Sequence, residues 1–216
     1  MDVRAIQYQR NSEILKKYLP EQSTNTIASW IIEFDFKLKI KRERSTRLGD
    51  YTQPHSGLNH TITINHNLNK FSFLITLVHE VAHLVTYNQH KNRVSPHGSE
   101  WKENFKILMQ PFLTPDIFPL EVFSALRKYM ANPAASSCTD VQLLRMLKLH
   151  DEDLGSIFIE NLPIHTLFLY NNRLFKKGEK VRKRYKCLDV EKKSTYLFNP
   201  LAEVELFEDL TSNFLR

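Results

Sequence analysis

Apolar side chains recur every three to four positions through residues 70–88, where Phe71, Leu74, Leu77, Val78, Val81, Leu84 and Val85 form an almost continuous stripe. A stripe of that period and breadth predicts a helix buried on most sides. Upstream, Ile14, Leu15, Tyr18 and Leu19 predict a helix that Pro20 stops. Ile27, Trp30, Ile31 and Phe34 predict a second one beginning near Ser23 or Thr24. From Phe34 the period falls to two: Phe34, Phe36, Leu38 and Ile40 alternate with Asp35, Lys37, Lys39 and Lys41. That is the pattern of a half-buried strand, and Gly49-Asp50 breaks it. Thr61-Ile-Thr-Ile-Asn65 is rich in β-branched residues and predicts a second short strand. Trp101, Phe105 and Leu108 place a helix at 99–109, and another is expected over 120–130 after three spaced prolines.

Asn132-Pro-Ala-Ala-Ser-Ser137 is small and polar, the best candidate for a linker. Beyond it a short helix is expected over 140–150 with Thr139 as N-cap. After Gly155 the pattern changes to short alternating segments at 157–159, 166–170, 181–190, 196–198 and 204–206. Asn171-Asn172, Lys177-Gly178 and Asn199-Pro200 are read as the turns between them. The expected organisation is α+β, with one domain over 1–131 and a helix plus an antiparallel β module over 132–216.

The chain has 216 residues, 42% of them hydrophobic, enough for a real core. It contains no apolar run long enough to cross a bilayer and no basic-then-apolar leader, which points to a soluble, cytoplasmic protein with nucleoid association open and no membrane partner. Two cysteines, Cys138 and Cys187, exclude a disulfide framework and a four-cysteine metal knuckle, and both read as small buried residues. The net charge of +6 is local: residues 173–193 carry ten basic and three acidic residues, and the rest of the chain is close to neutral. Four of the nine histidines, His79, His83, His90 and His97, fall within nineteen residues.

His79-Glu80-Val81-Ala82-His83 has the form H-E-x-x-H on the strongest predicted helix. Histidines four apart lie one turn apart on one face and can grip one Zn²⁺. Zinc lowers the pKa of its bound water, and Glu80 is placed to accept the proton and later protonate the leaving amine. A catalytic zinc needs a third protein ligand. The metzincin extension requires Gly at 86 and His at 89, where this chain has Thr86 and Gln89. His90 lies two turns past His83, too far to share the ion. His97, beside Gly98 and able to fold back, is favoured; Glu100 and Glu103 are the rivals, although both also read as ordinary first-turn helix charges.

The helix motif followed by Ser95-Pro-His-Gly-Ser-Glu-Trp101 resembles the SprT-like (Spartan-type) zinc metalloprotease domain. Arg44-Ser-Thr-Arg-Leu-Gly-Asp-Tyr51 and Thr61–Asn65 are similar to that family's strand region, so the resemblance runs over roughly residues 10–112. It implies a minimal zincin-like α+β fold, one Zn²⁺, His97 as the third ligand beside His79 and His83, and Glu80 as the catalytic acid/base. Bacterial members commonly end in a zinc ribbon with two Cys-x-x-Cys knuckles. Here Val190 stands at the knuckle spacing from Cys187, so the ribbon is read as degenerate and held by β pairing and Phe168, Tyr170, Phe175, Tyr185, Tyr196 and Phe198.

Lys176, Lys177, Arg182 and Arg184 interleave with aromatic residues in a strand-like pattern and are candidate contacts to nucleic acid. A solvated edge strand explains the same charges equally well. The family resemblance favours DNA, because Spartan-type proteases act on proteins attached to DNA. Lys37, Lys39, Lys41, Arg42, Arg44 and Arg47 form a second cluster. The expected function is a zinc metalloendopeptidase acting on DNA-associated or DNA-crosslinked proteins. The alternatives are a non-proteolytic nucleic-acid-associated factor with a structural zinc and a metal-dependent hydrolase of another amide; an intact Glu80 favours chemistry over the first.

Overall fold

The computed structural model describes residues 2–44, 47–134, 140–152 and 157–207. It divides into two compact units, Met1–Asp151 and Glu152–Arg216. Among the described residues no helix is long and apolar enough to cross a membrane.

The first unit opens with helices α1 (Val3–Leu15) and α2 (Glu21–Glu33). α2 starts directly after Pro20, earlier than the Ser23 expected, because Pro20 with φ −55 suits a helix entry. Phe34 caps its end, and Asp35 at φ 47 turns the chain into strand β1 (Phe36–Lys41). Strand β2 (Gly49–Thr52) occupies the place where a break was expected, and β3 (His60–Asn65) follows. The sheet order is β1-β3-β2, with β1 parallel and β2 antiparallel to β3, so β2 forms one edge.

Helix α3 (Lys70–His90) packs against β2, β3 and helix α4 (Ser99–Met109). Leu74, Leu77, Val78, Val81 and Leu84 of the predicted stripe are fully buried, while Phe71 and Val85 at its margins are half-buried and Phe73, outside it, is buried too. Asn69 caps α3, its side-chain oxygen accepting from the N–H groups of Phe71 and Ser72 at 3.1 and 2.9 Å. Helix α5 (Leu120–Ala131) and the short α6 (Val141–Lys148) complete the unit.

The division between units falls after Asp151 rather than after Ala131. Leu143 and Leu147 of α6 are buried in the first core. The Asn69 amide also donates to Leu147 O at 2.9 Å and to the Asp151 carboxylate at 2.6 Å, tying the end of α6 to the start of α3. The cap of α6 is Asp140, which accepts from Gln142 N and Leu143 N. Thr139 and Cys138, and the linker residues past Ala134, lie outside the described residues.

The second unit is a six-stranded antiparallel sheet: β4 (Ile157–Phe158), β5 (Leu167–Tyr170), β6 (Arg173–Val181), β7 (Arg184–Asp189), β8 (Thr195–Phe198) and β9 (Glu203–Leu206), in the order β4-β9-β5-β6-β7-β8. Asn171 and Asn172, at φ 50 and 58, make the tight β5–β6 turn read from the sequence. Lys177-Gly178 is not a turn. β6 runs through it with a register irregularity between Lys177 and Lys180, and the chain reverses at Arg182, φ 55. Gly178 is required at that irregularity, since a Cβ there would lie 2.3 Å from Lys186 O. Phe168, Phe175 and Phe198 pack ring against ring around the buried Cys187.

Candidate metal centre

α3 runs unbroken from Lys70 to His90, so His79 and His83 project from one face a turn apart. The third histidine arrives from the loop after α3. Lys91, at φ 56, ends the helix, and Gly98 N closes a turn onto Ser95 O at 3.0 Å. His97 itself sits at φ 59, a left-handed conformation that costs a non-glycine residue of order 1 kcal/mol. Folded this way, the loop carries the His97 imidazole back onto α3.

The three Nε2 atoms converge. His83 and His79 are 3.2 Å apart, His83 and His97 2.9 Å, and His97 and His79 3.2 Å. Each neutral ring nitrogen is either a donor or an acceptor, so three mutually close atoms can satisfy at most two of their three contacts by hydrogen bonding. A cation in their midst removes the conflict. The spacing also suits one: zinc–nitrogen bonds of about 2.0–2.1 Å in a tetrahedron place ligand atoms about 3.3 Å apart. Burial pushes His79 down to about 3 and His83 to about 4, aided by the neighbouring imidazoles, and burial also lowers His97. All three are therefore neutral at pH 7, the form that offers a lone pair to a metal.

Trp101 forms the floor. Its fully buried ring lies 4.6 Å from the His79 and His97 centroids and 5.4 Å from His83, and its Nε1 donates to His79 O at 3.4 Å. Phe105 stacks beneath it at 5.0 Å. Among the described residues the only cluster of three potential ligands is His79, His83 and His97. Glu100 instead accepts from Ser99, and Glu103 is exposed. His90 ends α3 and does not join the cluster.

Glu80 is 7% exposed, an unusual place for a carboxylate. Burial raises it to about 8, with Asp50 adding to the rise; Arg44, the Tyr51 backbone N–H and Arg47 pull the other way. The Tyr51 N–H that lowers it lies on the edge strand β2.

The profile of the SprT-like family matches residues 13–119. Residues 13–119 belong to the SprT-like family. No curated protein and no solved structure matches the chain. Membership makes this part a metalloprotease-type domain of a typically metal-dependent family, and its three histidines form a cluster able to hold a metal ion.

Sequence reasoning missed the surroundings of the SprT-like site. A cavity of about 330 Å³ opens beside His83 and His97, walled by Tyr51, Tyr87, Lys91 and Trp101. The Tyr51 hydroxyl lies 2.8 Å from His60 Nδ1, and both rings pack on Tyr87. Two tyrosines at unlike spacings gave no periodic signal. In the second unit, Lys176, Arg182 and Arg184 are exposed, but Lys177 is not: it is 2% exposed, its ammonium donating to the carbonyls of Glu160 and Leu162 and lying 4.2 Å from the Tyr185 centroid. Lys177 is thus corrected from a surface cation to a buried one. In strand alternation it shares a face with Phe175, which points inward.

Proposed function

We propose that the protein is a zinc-dependent metalloendopeptidase that cleaves DNA-associated proteins. The observation that carries this reading is the convergence of three neutral imidazoles, at 2.9–3.2 Å, beside a buried glutamate on the same helix. His79, His83 and His97 would hold the ion. When bound, zinc supplies Lewis-acid polarisation of the peptide carbonyl and acidifies water for attack. Glu80 accepts the proton of the attacking water and delivers it to the leaving nitrogen. Trp101 closes the floor against water, and the cavity walled by Tyr51 and Tyr87 receives a substrate side chain. A purely structural zinc site would have no use for a buried, ionisable Glu80.

DNA is the proposed partner of the second unit. Lys176, Arg182 and Arg184 are exposed along β6, the reversal and β7, where cations can track phosphates. The decisive experiment measures metal content and cleavage of a DNA-bound protein, with and without single-stranded DNA, for the parent and Glu80→Gln. The expected result is one zinc in both and cleavage only by the parent. Cleavage retained by Glu80→Gln refutes the mechanism, and a DNA affinity whose salt dependence is unchanged by neutralising the three cations refutes the proposed contact.

A further inference from the structure

We propose that Gly49 is a positioning residue for the Glu80 carboxylate, its missing side chain being the space that the carboxylate occupies. The inference rests on the proteolytic reading above. Gly49 opens β2, the edge strand packed on α3, and is paired with Ile64. Its backbone is not left-handed, since among the described glycines only Gly57 has positive φ. Glycine is therefore not demanded there by the turn of the chain. What demands it is room. A Cβ on Gly49 would lie 2.7 Å from Thr76 Cγ2, 2.8 Å from Glu80 Oε1 and 3.0 Å from Glu80 Cγ.

Two residues on, Tyr51 offers its N–H to the same carboxylate. Leu48 O accepts from Asn65 N, so the alternation of the antiparallel ladder turns the hydrogen-bonding groups of Leu48, Asp50 and Thr52 toward β3 and those of Gly49 and Tyr51 away from it. The edge of β2 thus holds Glu80 by two means: a backbone donor on one residue and an absent side chain on another.

Which neighbour yields to a methyl group at 49 decides the consequence. Thr76 is β-branched, buried and one helical turn before Glu80, so its short side chain has only two χ1 wells to choose between. Glu80 has three side-chain torsions and gives way first. A displacement near 1 Å in a catalytic group is worth up to about 10²-fold in rate. The Gly49→Ala protein should therefore fold and bind zinc like the parent, with kcat lowered about 10- to 100-fold and KM changed by less than about 3-fold.

The test compares parent, Gly49→Ala, Thr76→Ser and the double variant in zinc content, melting temperature, kcat and KM on a protein substrate, and hydrogen exchange of the Tyr51 amide. Thr76→Ser removes the methyl that a new Cβ would strike but leaves the Glu80 contact. The expected double variant regains melting temperature while kcat stays low, and the Tyr51 amide exchanges faster in both proteins that carry Gly49→Ala because its acceptor has moved. Recovery of kcat in the double variant, or a Gly49→Ala protein with parental kcat and Tyr51 protection, overturns the inference. A parent that cleaves nothing refutes the protease reading instead, and Tyr51 exchange then still decides whether Gly49 positions Glu80.

Discussion

Burying the Glu80 carboxyl works against the fold, and the size of that cost can be worked out for the metal-free protein. Its carboxyl titrates at about 8 when folded against 4.5 as a free group. A folded-state value above the unfolded one means that the native state holds the proton longer. Stability is then fully present below the unfolded value and is lost as pH rises toward the folded one. At about 1.4 kcal/mol per pH unit, the loss is under about 1 kcal/mol at pH 5, about 3 at pH 7 and about 4 at pH 8. Glutamine has nearly the same shape and carries no charge at any pH. Glu80→Gln should therefore match the parent near pH 5 and exceed it by about 3–4 kcal/mol at pH 8. In a unit of this size that is a melting temperature higher by order of 10 °C. His79 and His83 also destabilise the metal-free protein as pH falls below 6.5, since burial lowers both. They titrate in both proteins, so the difference between parent and variant isolates Glu80. Both tryptophans, Trp30 and Trp101, lie in the first unit, and fluorescence-detected melting from pH 5 to 8.5 reports that unit alone. A gap that does not widen with pH, or a variant less stable than the parent at pH 8, refutes the argument.

Trp101→Ala removes a fully buried ring that contacts all three imidazoles. It should cost about 3–5 kcal/mol in denaturant unfolding and lower zinc affinity measured by competition with a chelator, while Trp101→Phe recovers most of the stability. In the second unit, Lys177→Ala takes the donor from two carbonyls, lowering its unfolding free energy by about 2–3 kcal/mol, whereas Lys176→Ala changes it by less than about 0.5. Equal effects of the two lysines, read by circular dichroism during denaturant titration, would contradict the burial assigned to Lys177.

The helical half of the site is legible in the sequence because helical geometry converts spacing into position. His79 and His83 at i and i+4 must share a face, and the apolar stripe of α3 says which other face is buried. His97 follows less directly. Its place is fixed by a left-handed backbone and a turn closed by Gly98, features that Pro96-His97-Gly98 suggests without determining. Helix α6 joins the first core rather than the β module because its anchor, Asn69, lies far back in the chain, and its own eight residues carry too little pattern to show which core they join.

β2 marks the physical limit of such reading. Gly49-Asp-Tyr-Thr52 has no apolar alternation and reads as a break, yet it forms a strand because β3 supplies its hydrogen-bond partners and α3 a surface to lie on. What β2 then gives Glu80 is a backbone N–H from Tyr51 and an empty volume at Gly49. Neither is a side chain, so neither leaves a chemical signature in a string of residue names. Gly178 shows that glycines differ in this respect: there the atom that a Cβ would meet is the Lys186 carbonyl oxygen at 2.3 Å, a backbone atom that cannot swing aside. A methyl at 178 must therefore break the β6–β7 ladder, whereas one at 49 meets only side-chain atoms, those of Thr76 and Glu80, which can give way. The same residue type is a structural necessity in one sheet and a functional one in the other, and only the identity of the opposing atom separates them.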